Sequence, residues 1–171
     1  MKKEFNFEKL DIQLEDFIAL LDENRQDVYF VAAMTAVALC VYKENPEKCY
    51  AMLDELKNPA EPVSVYEKQF LRDRLKGKEY KPFSYFAGSK PENGYVPHAP
   101  YRITVSSNSN SFADEHWAIL WLRSSGADSE RQIKLREKKS THAWYLVEEF
   151  LLADIREPVR NEKGEVIDPW G

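Results

Sequence analysis

Three histidines pose the first chemical question, because imidazole is the side chain that most readily moves a proton near neutral pH. His98 lies between Pro97 and Ala99, His116 follows Asp114-Glu115, and His142 precedes Ala143-Trp144. A zinc or metallohydrolase site would place two of them at i, i+4 around a glutamate, or tie one to a carboxylate at motif spacing. Neither pattern is present. Asp114-Glu115-His116 has suitable donor types, but consecutive side chains on a strand point to opposite faces and cannot easily share one ion. All three histidines are read as structural or solvent-facing, and no metal is expected.

The other routes to catalysis fail in the same way. Cys40 and Cys49 are nine residues apart with no C-x-x-C, and Cys49 falls on an apolar helical face where a thiol is inert. There is no G-x-S-x-G and no phosphate loop. Glu148-Glu149 are neighbours on a strand, so they face apart and cannot work as a pair. No catalytic residue and no cofactor is assigned, and the reading leans away from an enzyme.

Two sets of residues could bind rather than react. Lys68, Arg72, Lys76 and Lys78, with Arg131, Lys134 and Arg136, make the strongest basic surface. An anionic partner is the sharp reading, and a solvated helix face with a lysine-blunted sheet edge is the plainer one. The second set surrounds the aromatic half of the chain: Tyr95, His98, Arg102, Trp117, Trp121, Arg123 and Asp128. With Tyr80, Phe83, Tyr85, Phe86, Trp144 and Tyr145, its rings could line a pocket, although such rings more often fill a core.

The elements that must position these groups are legible in the hydrophobic pattern. Asp11 is placed to cap a helix with Leu14, Phe17, Ile18 and Leu21 on one stripe. VYFVAAMTAVALCVY, 28 to 42, is apolar all round and too short to span a membrane, so it reads as a buried central helix. Asn45-Pro46 starts a third helix, whose apolar face holds Cys49, Met52, Leu53 and Leu56. Ser64 with Glu67 forms a capping box for a fourth, ended by Gly77. From residue 101 the period becomes two. Strands are expected over 101–107, 116–125, 131–138 and 143–152, with 116–125 apolar on both faces and therefore central and covered twice. SSNSNS, 106 to 111, reads as an exposed loop. Between the halves, 78–100 is an aromatic, proline-rich connection in which Asn93-Gly94 is the strongest turn signal.

The expected architecture is α+β: one domain over 1–171, with about four N-terminal helices (1–77) packed on a C-terminal four-stranded antiparallel sheet (101–156), and a tail at 157–171. Charge divides along the same line. The net charge is −5; residues 1–63 carry −6, residues 64–142 carry +5 and residues 143–171 carry −4. An acidic chain is a poor general nucleic-acid binder, though the basic middle keeps a role through 68–81 and 131–139 open. The opening residues lack the apolar core of a secretory signal, and a cytoplasmic location is expected.

The stretches PENGYVPHAPYRITV, RSSGADSERQIKLRE and WYLVEEFLLADIREP, with DPWG at the end, resemble an uncharacterised family of small bacterial proteins, mainly from Firmicutes. The resemblance rests on a P-E-N-x-Y-x-P loop, a S-G-A-D-S hairpin, an L-x-D-I-R-x-P segment and a D-P-W tail. It covers residues 82–171 well and the helical half loosely. It implies no activity, and the family pattern does not place histidine at position 98. The recurring residues read as fold devices, with Asp154 and Arg156 tying the chain to its neighbours and Trp170 docking the tail. The leading expectation is a non-enzymatic accessory protein that binds another protein or itself. The alternatives are a ligand-binding or enzymatic domain with a cone-shaped aromatic pocket of the nuclear-transport-factor kind, and a nucleic-acid-linked role.

Overall fold

The computed structural model describes residues 1–161 and 163–165. Trp170 and the D-P-W tail lie outside the described residues. Four helices, α1 (Leu14–Glu23), α2 (Val28–Val41), α3 (Pro46–Leu56) and α4 (Val65–Leu75), pack against an antiparallel sheet. That sheet has five strands, not four: β1 (Lys2–Phe7), β2 (Tyr101–Ser106), β3 (Trp117–Leu122), β4 (Arg131–Lys138) and β5 (Ala143–Glu149), in the order β1-β2-β3-β4-β5. The additional strand is KKEFNF, where Lys3, Phe5 and Phe7 turn inward and Lys2, Glu4 and Asn6 outward. Its two-residue period is short and largely polar, and its partner β2 lies some hundred residues away.

The central helix is the axle of the fold. All fourteen residues of α2 are buried, and the helix packs against every strand of the sheet. Its two hydroxyls are both partnered: Thr35 donates to the Val31 carbonyl at 3.1 Å, and the Tyr29 hydroxyl meets Ser107 Oγ at 2.8 Å. Asp27 starts the helix by accepting from the backbone N–H groups of Tyr29 (3.0 Å) and Phe30 (3.3 Å). Its other oxygen meets Lys3 of β1 at 3.3 Å. The same short α1–α2 connection reaches the opposite edge of the sheet. Trp144 of β5 donates its backbone N–H to the Arg25 carbonyl at 2.8 Å, and the Gln26 amide donates to the Thr141 carbonyl at 2.9 Å. One loop therefore fastens both outer strands around α2.

The capping signals read from the sequence hold for two helices and fail for one. Asn45 accepts from Lys48 N–H at 3.1 Å and Ser64 from Glu67 N–H at 3.1 Å, as their positions require. In α1 the N-cap is Gln13, with no side-chain bond, and Asp11 lies outside the helix. The expectation of a doubly covered β3 also fails. Ala118, Leu120 and Leu122 are buried against the helical layer, whereas Trp117, Ile119 and Trp121 stay half-buried on the open outer face. The helices are confined to one side of the sheet, so the outer face keeps its apolar side chains in partial contact with water. Ser111, placed in the exposed loop by its polar neighbours, is buried, and its carbonyl accepts from Ile119 N–H at 2.9 Å, pairing the loop to β3 where β2 has splayed away.

The 78–100 connection is built as two 3-10 turns, Lys81–Tyr85 and Pro91–Asn93. Asn93 is its hub. Its Oδ1 accepts from the backbone N–H groups of Lys90 and Val96, both at 3.1 Å, and its Nδ2 donates to the Gly88 carbonyl at 2.9 Å. Next to Asn93 the left-handed residues are Gly94 (φ 69°) and Tyr95 (φ 59°), so Asn93 acts through its side chain and not through its backbone.

Candidate functional site

Tyr95 is buried. Its ring stacks on Tyr80 at 5.3 Å, and its hydroxyl donates to the Arg156 carbonyl at 2.6 Å. Gly126 faces that hydroxyl so closely that a Cβ there would meet it at 2.2 Å. Tyr95 is thus a wedge that closes the connection onto the 126–156 region. His98 is exposed, with its ring laid over Gly88, and has no carboxylate partner among the described residues. Asp128 pairs with Arg156 at 2.7 Å on the surface. Arg102 and Arg123 do share a cleft, of about 420 Å³, with Lys2, Glu4, Glu130 and Ser125. Trp117 and Trp121 are on the outer face of β3, away from that wedge. Among the described residues, these side chains are spread over the wedge, the cleft and the outer face of β3.

The basic residues separate. Lys68 lies over the Tyr50 ring at 5.2 Å on the helical side, and Arg72, Lys76 and Lys78 stay exposed at or beyond the end of α4. Lys81 is buried, donating to the Leu152 carbonyl at 2.9 Å, with desolvation lowering its pKa. Arg131 is engaged with the carbonyls of Ala153 (2.9 Å), Ser129 (3.0 Å) and Asp154 (3.1 Å). Lys134 and Arg136 both lie over the Trp117 ring on the outer face, at 5.0 and 5.1 Å.

Two carboxylates stand out, and neither was selected from the sequence. The first is Glu137. His116 Nδ1 lies 2.7 Å from its Oε1, and His142 Nδ1 lies 3.5 Å from its Oε2. Both histidines occupy turns in the left-handed region, at φ 64° and 60°, which aims two residues far apart in sequence at one acceptor. The His116 hydrogen bond, opposed by desolvation and helped by His142, holds the Glu137 carboxyl below the usual range. Among the described residues no group of three or more His, Cys, Asp or Glu could hold a metal ion. The cluster ties the end of the β2–β3 connection to the β4–β5 hairpin.

The second is Glu149. Alternation from Leu146, which is buried opposite Leu135, would turn residue 149 outward. A β-bulge intervenes: Leu135 pairs with Leu146, but Lys134 pairs with Glu148 and Ile133 with Glu149. The extra residue, Val147, re-aims Glu149 to the inner side while Glu148 faces out. There Glu149 lines a groove of about 550 Å³ between α4 and the end of β5, with Leu53, Val63, Leu71, Leu146 and Leu152 among its walls. Leu151 donates its N–H to Oε2 at 2.7 Å. Packed surroundings desolvate the carboxyl and push its pKa from 4.5 up to about 7. The Leu151 bond and Lys57 oppose that rise, and Glu148 and Glu67 add to it. Cys49, close by, has its thiol pushed to about 12 by burial, which fits the inert thiol expected of it.

Helix α4 forms the other wall with few anchors. It buries only Leu71 and Leu75. Val65 and Tyr66 are 84% and 79% exposed, and Phe70 is 39% exposed. Phe150 and Val147 of the opposing wall are also exposed. Of nine large apolar residues exposed among the described ones, these five cluster at one place, and four of them line the groove. Such concentrations mark binding surfaces.

The chain matches the family described as "Domain of unknown function (DUF6935)" over residues 9–159, and it belongs to that family. No curated protein and no solved structure matches it. The family match takes in all four helices and strands β2 to β5, and β1 lies outside it.

Proposed function

We propose that this member of a family of unknown function is a small-molecule-binding domain whose site is the α4–β5 groove. The observation that carries the reading is the coincidence, in one groove, of exposed apolar side chains with a carboxyl whose pKa is raised to about 7. A volume of about 550 Å³ lies within the range of ligand sites, which are mostly apolar with a few convergent polar groups. A strand end that only closed a core would carry leucine here, not a carboxyl held against its preference for water.

The test is a titration with Nile red, an uncharged apolar dye, followed by fluorescence. Saturable one-to-one binding is expected, with loss of that binding in Phe150→Glu, which charges the exposed wall and leaves the buried core intact. Unsaturable binding, or equal binding by the variant, would remove the reading. Protein interaction is the second reading, favoured by Val65, which is 84% exposed and stands outside the groove lining. Sedimentation velocity across a hundredfold concentration range checks it, and a monomer throughout speaks against self-association.

A further inference from the structure

The polar groups of the groove are unevenly committed. Lys57 Nζ lies 2.7 Å from Glu67 Oε2, and the lysine side chain is nearly buried, so that pair cancels itself. Arg74 lies over the Phe70 ring at 5.0 Å, at the rim. Glu149 uses one oxygen only. Oε2 accepts the Leu151 N–H, while Oε1 has no hydrogen-bond partner among the described residues. Nor is Oε1 sealed: the one buried, unpartnered side-chain polar atom among the described residues is the indole nitrogen of Trp121, on the outer face. An acceptor with no protein donor therefore opens into an apolar groove whose rim carries two aromatic rings, Tyr66 and Phe70.

We infer that the ligand of this groove is an organic ammonium ion on an apolar body, with Glu149 Oε1 as its counter-ion. This rests on the groove being a binding site. Three classes of headgroup compete. A carboxylate or phosphate would approach Glu149 and Glu148, while Lys57 is held by Glu67 and Arg74 lies over Phe70 at the rim. An alcohol would satisfy Oε1 and leave the desolvated charge uncompensated. An ammonium satisfies the acceptor, supplies the missing charge and gains from the ring faces at the rim. The titratable groups that face Glu149 are Glu148 on its own strand, Lys57 after α3, Glu67 on α4, Cys49 on α3 and the Tyr85 phenol. Arg74 of α4 also lines the groove, at the rim; apart from it and the paired Lys57 these groups are acidic or neutral, so the field at Oε1 also favours a cation.

Binding couples to protons. Below pH 7 the Glu149 carboxyl largely holds its proton in the free protein and must release it to pair with an ammonium, and the proton passes to the buffer. The amine stays protonated throughout, so charge and atoms balance.

The experiment uses three probes with one apolar body: 4-phenylbutylamine, 4-phenylbutan-1-ol and 4-phenylbutyric acid, each titrated against the full chain by calorimetry and by displacement of Nile red. The amine is expected to bind about tenfold tighter than the alcohol at pH 8, the size of one charge-assisted contact. Its advantage should shrink toward pH 5, and near pH 6.5 the heats in buffers of different ionisation enthalpy should report a released proton. Glu149→Gln should erase the amine's advantage and leave alcohol binding within about twofold, since the Gln carbonyl still accepts the Leu151 N–H. Equal or tighter binding of the alcohol or the acid overturns the ammonium assignment while the groove stands as a site. Absence of saturable dye binding, with no heat from any probe, overturns both. An amine preference that survives in Glu149→Gln overturns the role of Glu149 alone.

Discussion

Glu137 and Glu149 sit on adjacent strands of one sheet and have opposite surroundings. Glu137 is approached by two imidazoles, and its carboxyl is held in the charged form. Glu149 has one backbone N–H and a crowded apolar setting, and its carboxyl is pushed toward the neutral form. The first is a completed piece of construction, since both its oxygens are occupied. The second has an oxygen left over at the wall of a groove. The difference teaches where to look for function in a fold without a catalytic motif: at the polar group the fold has not finished satisfying.

The sharpest way to break the contrast is to loosen the wall that creates it. Leu75→Ala removes one of the two side chains by which α4 is anchored. It should cost about 2–5 kcal/mol in denaturant unfolding, through lost burial and the cavity left behind. If α4 shields Glu149, the same variant should bring the Glu149 pKa back toward 4.5, measured by carboxyl NMR titration. Next in size is Glu149→Gln. The folded-state value of about 7 exceeds the ordinary 4.5, so on raising the pH the unfolded chain releases its proton first. Stability therefore falls between about pH 4.5 and pH 7 and stays at the lower level above that. The glutamine variant should lack this fall and should be more stable at pH 8 by about 1–3 kcal/mol, seen as a higher melting temperature.

Glu137→Gln should act with the opposite sign. A lowered folded pKa stabilises above the ordinary carboxylate range and is lost as the pH drops through it. The variant should cost about 1 kcal/mol at pH 7, and the gap to the parent should close on acidification. A variant with unchanged stability at pH 7 would show that the two histidines do not hold the hairpin. The smallest effect belongs to His98→Ala, which touches neither carboxylate. Its ring is exposed, so a change within about 0.5 kcal/mol is expected, with no change in dye binding.

Much of the fold is legible because its signals are local. The all-round apolarity of α2, the asparagine and serine caps of α3 and α4, and the two-residue period of β2 and β4 each come from residues close in sequence. β1 was hidden because half of its six residues are charged, and its pairing with β2 is invisible without the rest of the chain. The site was hidden for a subtler reason. Glu148 and Glu149 do face apart, as strand alternation requires, and that argument rightly removes them as a catalytic pair. It says nothing of which one faces in, and a bulge at Val147 decides that. The pairing of the histidines with Glu137 was hidden similarly. Motif spacing looks for partners near in sequence, whereas Glu137 is reached from two turns by left-handed backbone that single residues do not announce. The rings of the 80–95 region were legible as packing, and Tyr95 joins them because Gly126 leaves room for its hydroxyl.

The pairing of β1 with β2 has a consequence for the order in which the chain can fold. Lys2 opposite Ser106 closes a loop of about a hundred residues, and such a closure is entropically late. The four helices between them need no such wait. Until β2 exists, the Phe5 and Phe7 side of β1 has no strand beside it, and the apolar surface of α2 is only partly covered. The molecule must therefore carry its most apolar helix through an interval in which the sheet around it is incomplete. The hydrophobic axle that organises the finished fold is, during that interval, its most aggregation-prone segment.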